Sequence, residues 1–316
     1  MTEGDRRHLL SIRDLEREDV ERILDAARKM SSALDRREKL ATLRWRTVVN
    51  LFYESSTRTS TSFELAAKRL SAETTTIRAA GSSVDKGESL RDTIETLTAY
   101  DPDAIVVRHP SAGAPAIVAR ATSAQVVNAG DGKHQHPTQA LLDLFTIDEV
   151  LGRLEGVHVA IVGDVLHSRV ARSLLQALEL VGARSTVVGP PTLLPADLGG
   201  FGCEATTDIA AIAAADVIYV LRMQRERMSA GEAFIPSLRE YTALYGIGPE
   251  RVRSTQVVLH PGPLNRGIEI DARAADSASS LITAQVRSGL AVRMAVLADL
   301  LAVEAPGRVV ALAEPA

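Results

Sequence analysis

Cysteine is almost missing from this chain: Cys203 is the only one in 316 residues. A single thiol excludes an intramolecular disulfide framework and fits a reducing compartment. It stands in Gly-Phe-Gly-Cys-Glu with no obvious base beside it, so a buried filler is expected rather than a nucleophile. Lysine is scarce as well. Lys29, Lys39, Lys68, Lys86 and Lys133 are the only five, which leaves 31 arginines among the 36 basic residues. A lone arginine therefore says little here, and a lysine inside a motif says more. No apolar run approaches the roughly 20 residues that a membrane-crossing helix needs. The first eight residues, Met-Thr-Glu-Gly-Asp-Arg-Arg-His, lead into only two apolar residues before polar and charged ones resume, unlike a secretion signal. An excess of positive charge is absent too: the formal net charge is −4, so a general polyanion binder is excluded and any anion site must be local. These absences predict a cytoplasmic protein that partners neither membrane nor nucleic acid.

What remains is ordinary globular composition, 46% hydrophobic and 24% charged, at a length comfortable for two domains. Val20, Ile23, Leu24, Ala27 and Leu34 recur at helical spacing. Thr47-Val-Val-Asn-Leu-Phe52 reads as a buried strand, and a helix marked by Phe63, Ala66, Ala67 and Leu70 follows it. Strands over 74–77, 104–107 and 125–127 and helices over 90–100 and 138–150 continue the alternation. It restarts with strands at 157–162, 185–188, 217–221 and 256–259, a helix at 170–180 and a last one at 281–302 that could return to the first domain. Repeated β-α units predict an α/β fold of two doubly wound parallel-sheet domains linked by long helices, with the junction between 137 and 153.

Open α/β sheets bind ligands beyond the carboxyl ends of their strands, so the residues just after each strand matter most. After 47–52 comes Glu54-Ser-Ser-Thr-Arg-Thr-Ser-Thr-Ser62, hydroxyls at almost every position with one arginine among them, opening a helix. A capped helix needs one such hydroxyl. The surplus, with free backbone N–H groups at a helix start, points to phosphate binding. It is not a P-loop, because the glycines and the Gly-Lys-Ser/Thr ending are missing. Lys86, on the Gly-flanked turn Ser82-Ser-Val-Asp-Lys-Gly-Glu88, could reach a phosphate or simply be solvated.

Strand 104–107 runs into Arg108-His-Pro110, and strand 125–127 into a loop ending His134-Gln-His136-Pro-Thr-Gln139. His-x-His can bind metal, but no carboxylate or cysteine completes a site, and none is expected. His136 and Gln139 near a helix start could instead polarise a carbonyl and orient an amide. After 157–162 comes Gly163-Asp-Val-Leu-His-Ser-Arg169, which keeps only the first glycine of a dinucleotide fingerprint and argues against an oxidoreductase. Strand 217–221 ends in Arg222-Met-Gln224, and strand 256–259 in His260-Pro-Gly-Pro263. Arginines after two strands of one sheet suit a dicarboxylate, although each could equally be a surface residue.

Taken together, Ser56-Thr-Arg-Thr59, Ser82 with Lys86-Gly-Glu88, Arg108-His-Pro110, His136-Pro-Thr-Gln139, Arg169, Arg222-Met-Gln224 and His260-Pro-Gly-Pro263 resemble, in order, the catalytic-chain family of the aspartate carbamoyltransferases. The resemblance implies a carbamoyl-phosphate domain over 1–140, with the C-terminal helix from 285 packing back on it, and an aspartate domain over 141–284. It implies a homotrimer with active sites shared between chains, leaves room for a separate regulatory chain, and implies no cofactor. By the same resemblance Ser56, Thr57, Arg58 and Thr59 hold phosphate, with Ser82 and Lys86 supplied by the adjacent subunit. Arg108, His136 and Gln139 contact the carbamoyl end. Arg169, Arg222 and Gln224, together with Lys86, serve aspartate. The backbone around Gly262-Pro263, through a cis peptide, accepts from the reacting amines. Ornithine carbamoyltransferases are the alternative in the same class, but they carry Ser-Met-Gly and a His-Cys-Leu-Pro loop where this chain has Arg222-Met-Gln224 and His260-Pro-Gly-Pro263. One departure is Ser60, where many members have arginine.

Overall fold

The computed structural model describes residues 8–79, 87–224 and 235–302. Its first α-helix is α1 (Arg17–Asp35), whose buried positions Val20, Ile23, Leu24 and Ala27 lie on the expected stripe; Met30 is buried with them, while Leu34, also expected there, is only partly buried. The first sheet follows, built from β1 (Thr47–Phe52), β2 (Glu73–Arg78), β3 (Ala104–His109) and β4 (Gln125–Asp131), with α2 (Thr57–Arg69), α3 (Leu90–Thr98) and α4 (Ala114–Ala121) between them. Helix α5 (Pro137–Leu151) leads to the second sheet: β5 (His158–Val162), α6 (Arg169–Leu180), β6 (Arg184–Val188), β7 (Glu204–Thr206), β8 (Val217–Val220), α7 (Leu238–Tyr245) and β9 (Val257–Leu259). A single-turn α8 (Ala272–Ala275) precedes the long α9 (Ile282–Leu301).

Every strand pairing is parallel, in the orders β2-β1-β3-β4 and β7-β6-β5-β8-β9. Strand order reverses between β1 and β3 in the first sheet and between β5 and β8 in the second. A crevice opens at such a reversal, because the connections leave to opposite faces. The register between β3 and β4 shifts between Val107 and His109, so an irregularity falls beside Arg108 at the edge of the first crevice.

Three apolar clusters cover the sheet faces, as a doubly wound arrangement requires. One lies on the outer face of the first sheet around Ile94, Ile105 and Val118, and another on the outer face of the second around Ile218, Tyr241 and Val258. The third runs without interruption from α1, α2 and β1 through α5 and α9 to α6 and β5. Helix α9 packs against α1, α2 and α5, so the last described helix is central to the first sheet's inner layer.

The expected strands and long helices are present with ends shifted by a residue or a few; β4, expected over 125–127, extends to Asp131. Among the α-helices and strands of the described residues, four went unanticipated. Helices α4, α7 and α8 are short, and β7 is a three-residue edge strand with no apolar run. Cys203 is partly exposed and leans on the third cluster instead of being fully buried. Among the described residues no helix is long and apolar enough to cross a membrane.

Leu141 is fully buried in α5 where the two sheets share their core. Leu141→Ala is expected to cost about 2–5 kcal/mol of unfolding free energy, from lost transfer energy plus a cavity, read as a shift in a urea unfolding midpoint.

Candidate active site

The crevices of the two sheets join in one cleft of about 730 Å³. Cap or first-turn residues of α2, α5 and α6 line it, so three helix N-termini, each carrying partial positive charge, face the same space.

At α2 the Ser56 Oγ accepts the Thr59 N–H at 3.3 Å. That hydroxyl is an ordinary helix cap. Thr57, Arg58, Thr59 and Ser62 remain along the cleft wall. Arg58 lies against the loop after β9: a Cβ added to Gly262 would come within 3.0 Å of Arg58 Cζ, and Gly262 has φ +63°. Both the close approach and the left-handed backbone call for glycine. The Gly262–Pro263 peptide is cis. His260 supports this loop from below, its Nδ1 accepting the Gly262 N–H at 2.8 Å while Nε2 sits 3.2 Å from buried Glu269. Burial pushes His260 below its usual range against the pull of Glu269, so it is a neutral imidazole with its proton on Nε2.

Glu54 organises the centre. Its Oε2 lies 2.6 Å from a nitrogen of Arg169, the first residue of α6, and 3.1 Å from Nε of Arg108 at the end of β3. Arg169 also donates to the Gly132 carbonyl at 3.1 Å, and Arg108 to that of Ala129 at 3.3 Å. Gly130 makes room for both: a Cβ there would meet Arg169 Cζ at 3.0 Å and Arg108 Nη1 at 3.4 Å. From the second sheet, Arg222 donates to Gln224 Oε1 at 3.2 Å, and the Gln224 N–H is held by buried Asp164 at 3.1 Å. Arg58 is held below its ordinary pKa first by burial and then by the positive charge of Arg222. Arg293 of α9 is pushed down to about 10 by burial, partly offset by Asp143 and reinforced by Arg58. The cleft is a crowd of guanidinium groups whose mutual repulsion an anionic ligand relieves.

His136 caps α5 from the loop after β4, its N–H donating to Ser173 Oγ at 2.8 Å, and Gln139 follows within the first turn. His134, by contrast, is half exposed and bonded to Asp131 at 3.0 Å, outside the residues that line the cleft. Among the described residues no group of three or more His, Cys, Asp or Glu could hold a metal ion.

Two family models match the chain: the aspartate/ornithine carbamoyltransferase carbamoyl-P binding domain over residues 7–149 and the Asp/Orn binding domain of the same enzymes over 155–300. The chain belongs to the aspartate/ornithine carbamoyltransferase family. It is 55% identical over 316 aligned residues to an aspartate carbamoyltransferase catalytic subunit of Kineococcus radiotolerans, covering 95% of this chain and 99% of that one. A Parafrankia sp. protein of the same name is 55% identical over 295 residues, 92% of this chain and 95% of the relative. Among solved structures, Trypanosoma cruzi aspartate transcarbamoylase in complex with N-(phosphonacetyl)-L-aspartic acid superposes with a TM-score of 0.85 at 31% identity, covering 93% and 96% of the two chains. The catalytic subunit of M. jannaschii aspartate transcarbamoylase gives 0.82 at 39% identity over 93% and 97%.

Of the residues singled out in the sequence for the carbamoyltransferase site, Ser56, Thr57, Arg58, Thr59, Arg108, His136, Gln139, Arg169, Arg222, Gln224, Gly262 and Pro263 all line this one cleft. Ser82 and Lys86 lie outside the described residues. Glu54 and Arg293 line the cleft but went unassigned in the sequence. A carboxylate opening a hydroxyl-rich stretch was the only signal for Glu54, and Arg293 was one arginine among many.

Glu54→Gln keeps the shape of this side chain but removes the charge that holds Arg108 and Arg169. It is expected to lower kcat/KM for carbamoyl transfer by on the order of a hundredfold, with unchanged circular dichroism. Kinetics indistinguishable from those of the unsubstituted enzyme would show that Glu54 does not position the two arginines.

Proposed function

We infer that this enzyme transfers the carbamoyl group of carbamoyl phosphate to the amine of L-aspartate, giving N-carbamoyl-L-aspartate and phosphate, an early step of pyrimidine biosynthesis. The observation that carries the reading is Arg222 with Gln224, set by Asp164 into the same cleft as Arg58, Arg108 and Arg169. Carbamoyl phosphate carries a charged phosphoryl group and aspartate two carboxylates, and this cleft opposes them with cations and helix N-termini. An ornithine acceptor would bring an ammonium group toward the Arg222 guanidinium, a like-charge approach that a buried cleft penalises more than water does. The relatives named above and the Trypanosoma cruzi complexes with carbamoyl phosphate and with aspartate support the same reading.

We assign Ser56, Thr57, Arg58 and Thr59 to the phosphoryl oxygens, through hydroxyls, the N-terminus of α2 and one guanidinium. Arg108 and His136 face the carbamoyl oxygen and Gln139 its amide. Arg169, Arg222 and Gln224 take the two carboxylates of aspartate. The amine, once unprotonated, attacks the carbamoyl carbon. A tetrahedral intermediate forms, the C–O bond to phosphate breaks, and the departing phosphate can take up the amine proton. No enzyme nucleophile is required. Rate enhancement then comes from orientation and from cations already standing where negative charge develops. The carbamoyl-phosphate unit is assigned to residues 1–140 with the C-terminal segment from 285 returning to it, and the aspartate unit to 141–284. The active unit is assigned as a cytoplasmic homotrimer in which Ser82 and Lys86 enter a neighbour's cleft. Family membership and the single, partly exposed cysteine support these assignments.

Supplying carbamoyl phosphate with each of a panel of amino acids tests the acceptor: phosphate is released with aspartate, and release with ornithine alone would overturn the assignment. Arg58→Ala is expected to lower kcat by a factor equivalent to about 3–4 kcal/mol, as for loss of one electrostatic donor to a developing oxyanion. Arg222→Ala mainly raises the aspartate concentration needed for half-saturation; an unchanged saturation curve removes Arg222 from the aspartate site. Mixing inactive Lys86→Gln and Arg58→Ala chains after dissociation is expected to restore activity, because a mixed trimer contains one site with both residues intact. No recovery would argue against shared sites.

A further inference from the structure

Behind the cleft wall, Asp143 is completely buried in α5 and surrounded by donors from its own helix, from α9 and from β8. Its Oδ1 accepts from Gln139 Nε2 at 3.0 Å and from Gln285 Nε2, on α9, at 2.8 Å. Its Oδ2 accepts from the hydroxyl of Tyr219, on β8 of the second sheet, at 2.7 Å. Gln285 passes the connection on, its Oε1 accepting the backbone N–H of His260 at 2.8 Å, where the loop carrying Gly262 and Pro263 begins.

A side-chain amide can turn either end toward a neighbour, and the neighbour decides. Oδ1 of Asp143 is an acceptor facing two amides, so it takes both amide nitrogens. For Gln285 this directs Oε1 at the His260 N–H, which matches the observed bond. For Gln139, which lines the cleft, it turns Nε2 inward and leaves Oε1 as the end offered to a ligand. An oxygen there accepts from an N–H of a carbamoyl group; an amide nitrogen there would oppose it, donor against donor. Burial raises the Asp143 carboxyl to about 7, with Tyr219, Gln285 and Gln139 pulling the other way. A proton taken up on Oδ2, against the Tyr219 oxygen, leaves Oδ1 an acceptor, so the orientation of Gln139 survives either protonation state.

We propose that Asp143 is a positioning residue for carbamoyl transfer: its Oδ1 fixes the amide of Gln139 with the oxygen toward the carbamoyl nitrogen and, through Gln285, anchors the His260–Pro263 loop on the opposite wall. A carboxylate this deep is costly to bury without partners. Here it connects α5, α9 and β8 at the junction of the two sheets, and two of its three partners lead directly to cleft-lining groups.

The inference rests on the carbamoyl-transfer reading, which the unsubstituted enzyme tests separately with carbamoyl phosphate and aspartate. The test variant is Asp143→Leu, which keeps the branched shape and removes both acceptors, compared with Asp143→Asn, whose oxygen can still face both glutamines while its nitrogen faces the Tyr219 oxygen. Asp143→Leu is expected to lower kcat/KM for carbamoyl phosphate by on the order of ten- to a hundredfold, the loss that follows from leaving one buried polar group without its partner. The inhibition constant of inorganic phosphate, which has no carbamoyl group to meet Gln139, stays unchanged, and Asp143→Asn regains most of the lost activity. Unchanged kcat/KM in Asp143→Leu overturns the proposal. So does weakening of phosphate inhibition in the same proportion as turnover, which marks a merely structural role, or failure of Asp143→Asn to improve on leucine. If the leucine variant does not fold, Asp143→Ala takes its place with the same comparison. A neutron structure of the unsubstituted enzyme with the Gln139 nitrogen facing the cleft overturns the proposal independently of any variant.

Discussion

Guanidinium groups repel one another, and this cleft must hold several of them close together in a partly dry space. Arg58 already responds to Arg222, and Arg293 responds to Arg58. What keeps the arrangement in place is a small set of acceptors, above all the partly buried Glu54 carboxylate between Arg108 and Arg169. Rigid backbone carbonyls at Ala129 and Gly132 complete their hold. The groups are therefore oriented before a substrate arrives, and little reorganisation is needed when negative charge develops on the carbamoyl oxygen and then on the leaving phosphate. A chain with net charge −4 achieves this only by concentrating its cations locally.

The strand order makes that concentration feasible. Each sheet reverses its winding once, β1 against β3 and β5 against β8, and the carboxyl ends of these four strands, with the loops and helix starts after them, supply Ser56–Thr59, Arg108, Arg169 and Arg222. Glycines then admit the bulky side chains. Gly130 lets two arginines cross the end of β4, and Gly262 lets Arg58 lie on the last loop. Either position with a Cβ would displace the group it faces.

Much of this was legible in the sequence because parallel strands buried on both faces read as short apolar runs. The hydroxyl-rich turn after Phe52 and the Arg-Met-Gln after Leu221 were visible as oddities at strand ends, and the cleft gathers them. Other features had no such signal. Helix α4 has alanine at half its positions and begins at Gly113 with φ +82°, so no apolar stripe announces it. Glu54 acquires its meaning from Arg169, 115 residues away, a pairing that no local pattern contains. Asp143 interrupts Leu141-Leu-Asp-Leu-Phe145 four residues after Gln139, on the same helix face, and that spacing was the one available hint. Cys203 read as core because cysteine usually is; at a short edge strand there is too little chain above it to cover it.

The position of α9 has a consequence for how the protein comes to exist. Residues 282–301 lie on α1 and α2, so the inner layer of the first sheet stays open until residue 301 has left the ribosome. The amino-terminal unit cannot mature as an independent product of synthesis, and its apolar inner face waits, uncovered, through translation of everything between. Aggregation risk for this enzyme therefore persists until α9 has been made, and a stop codon gained before residue 282 leaves the part of the molecule made first uncovered.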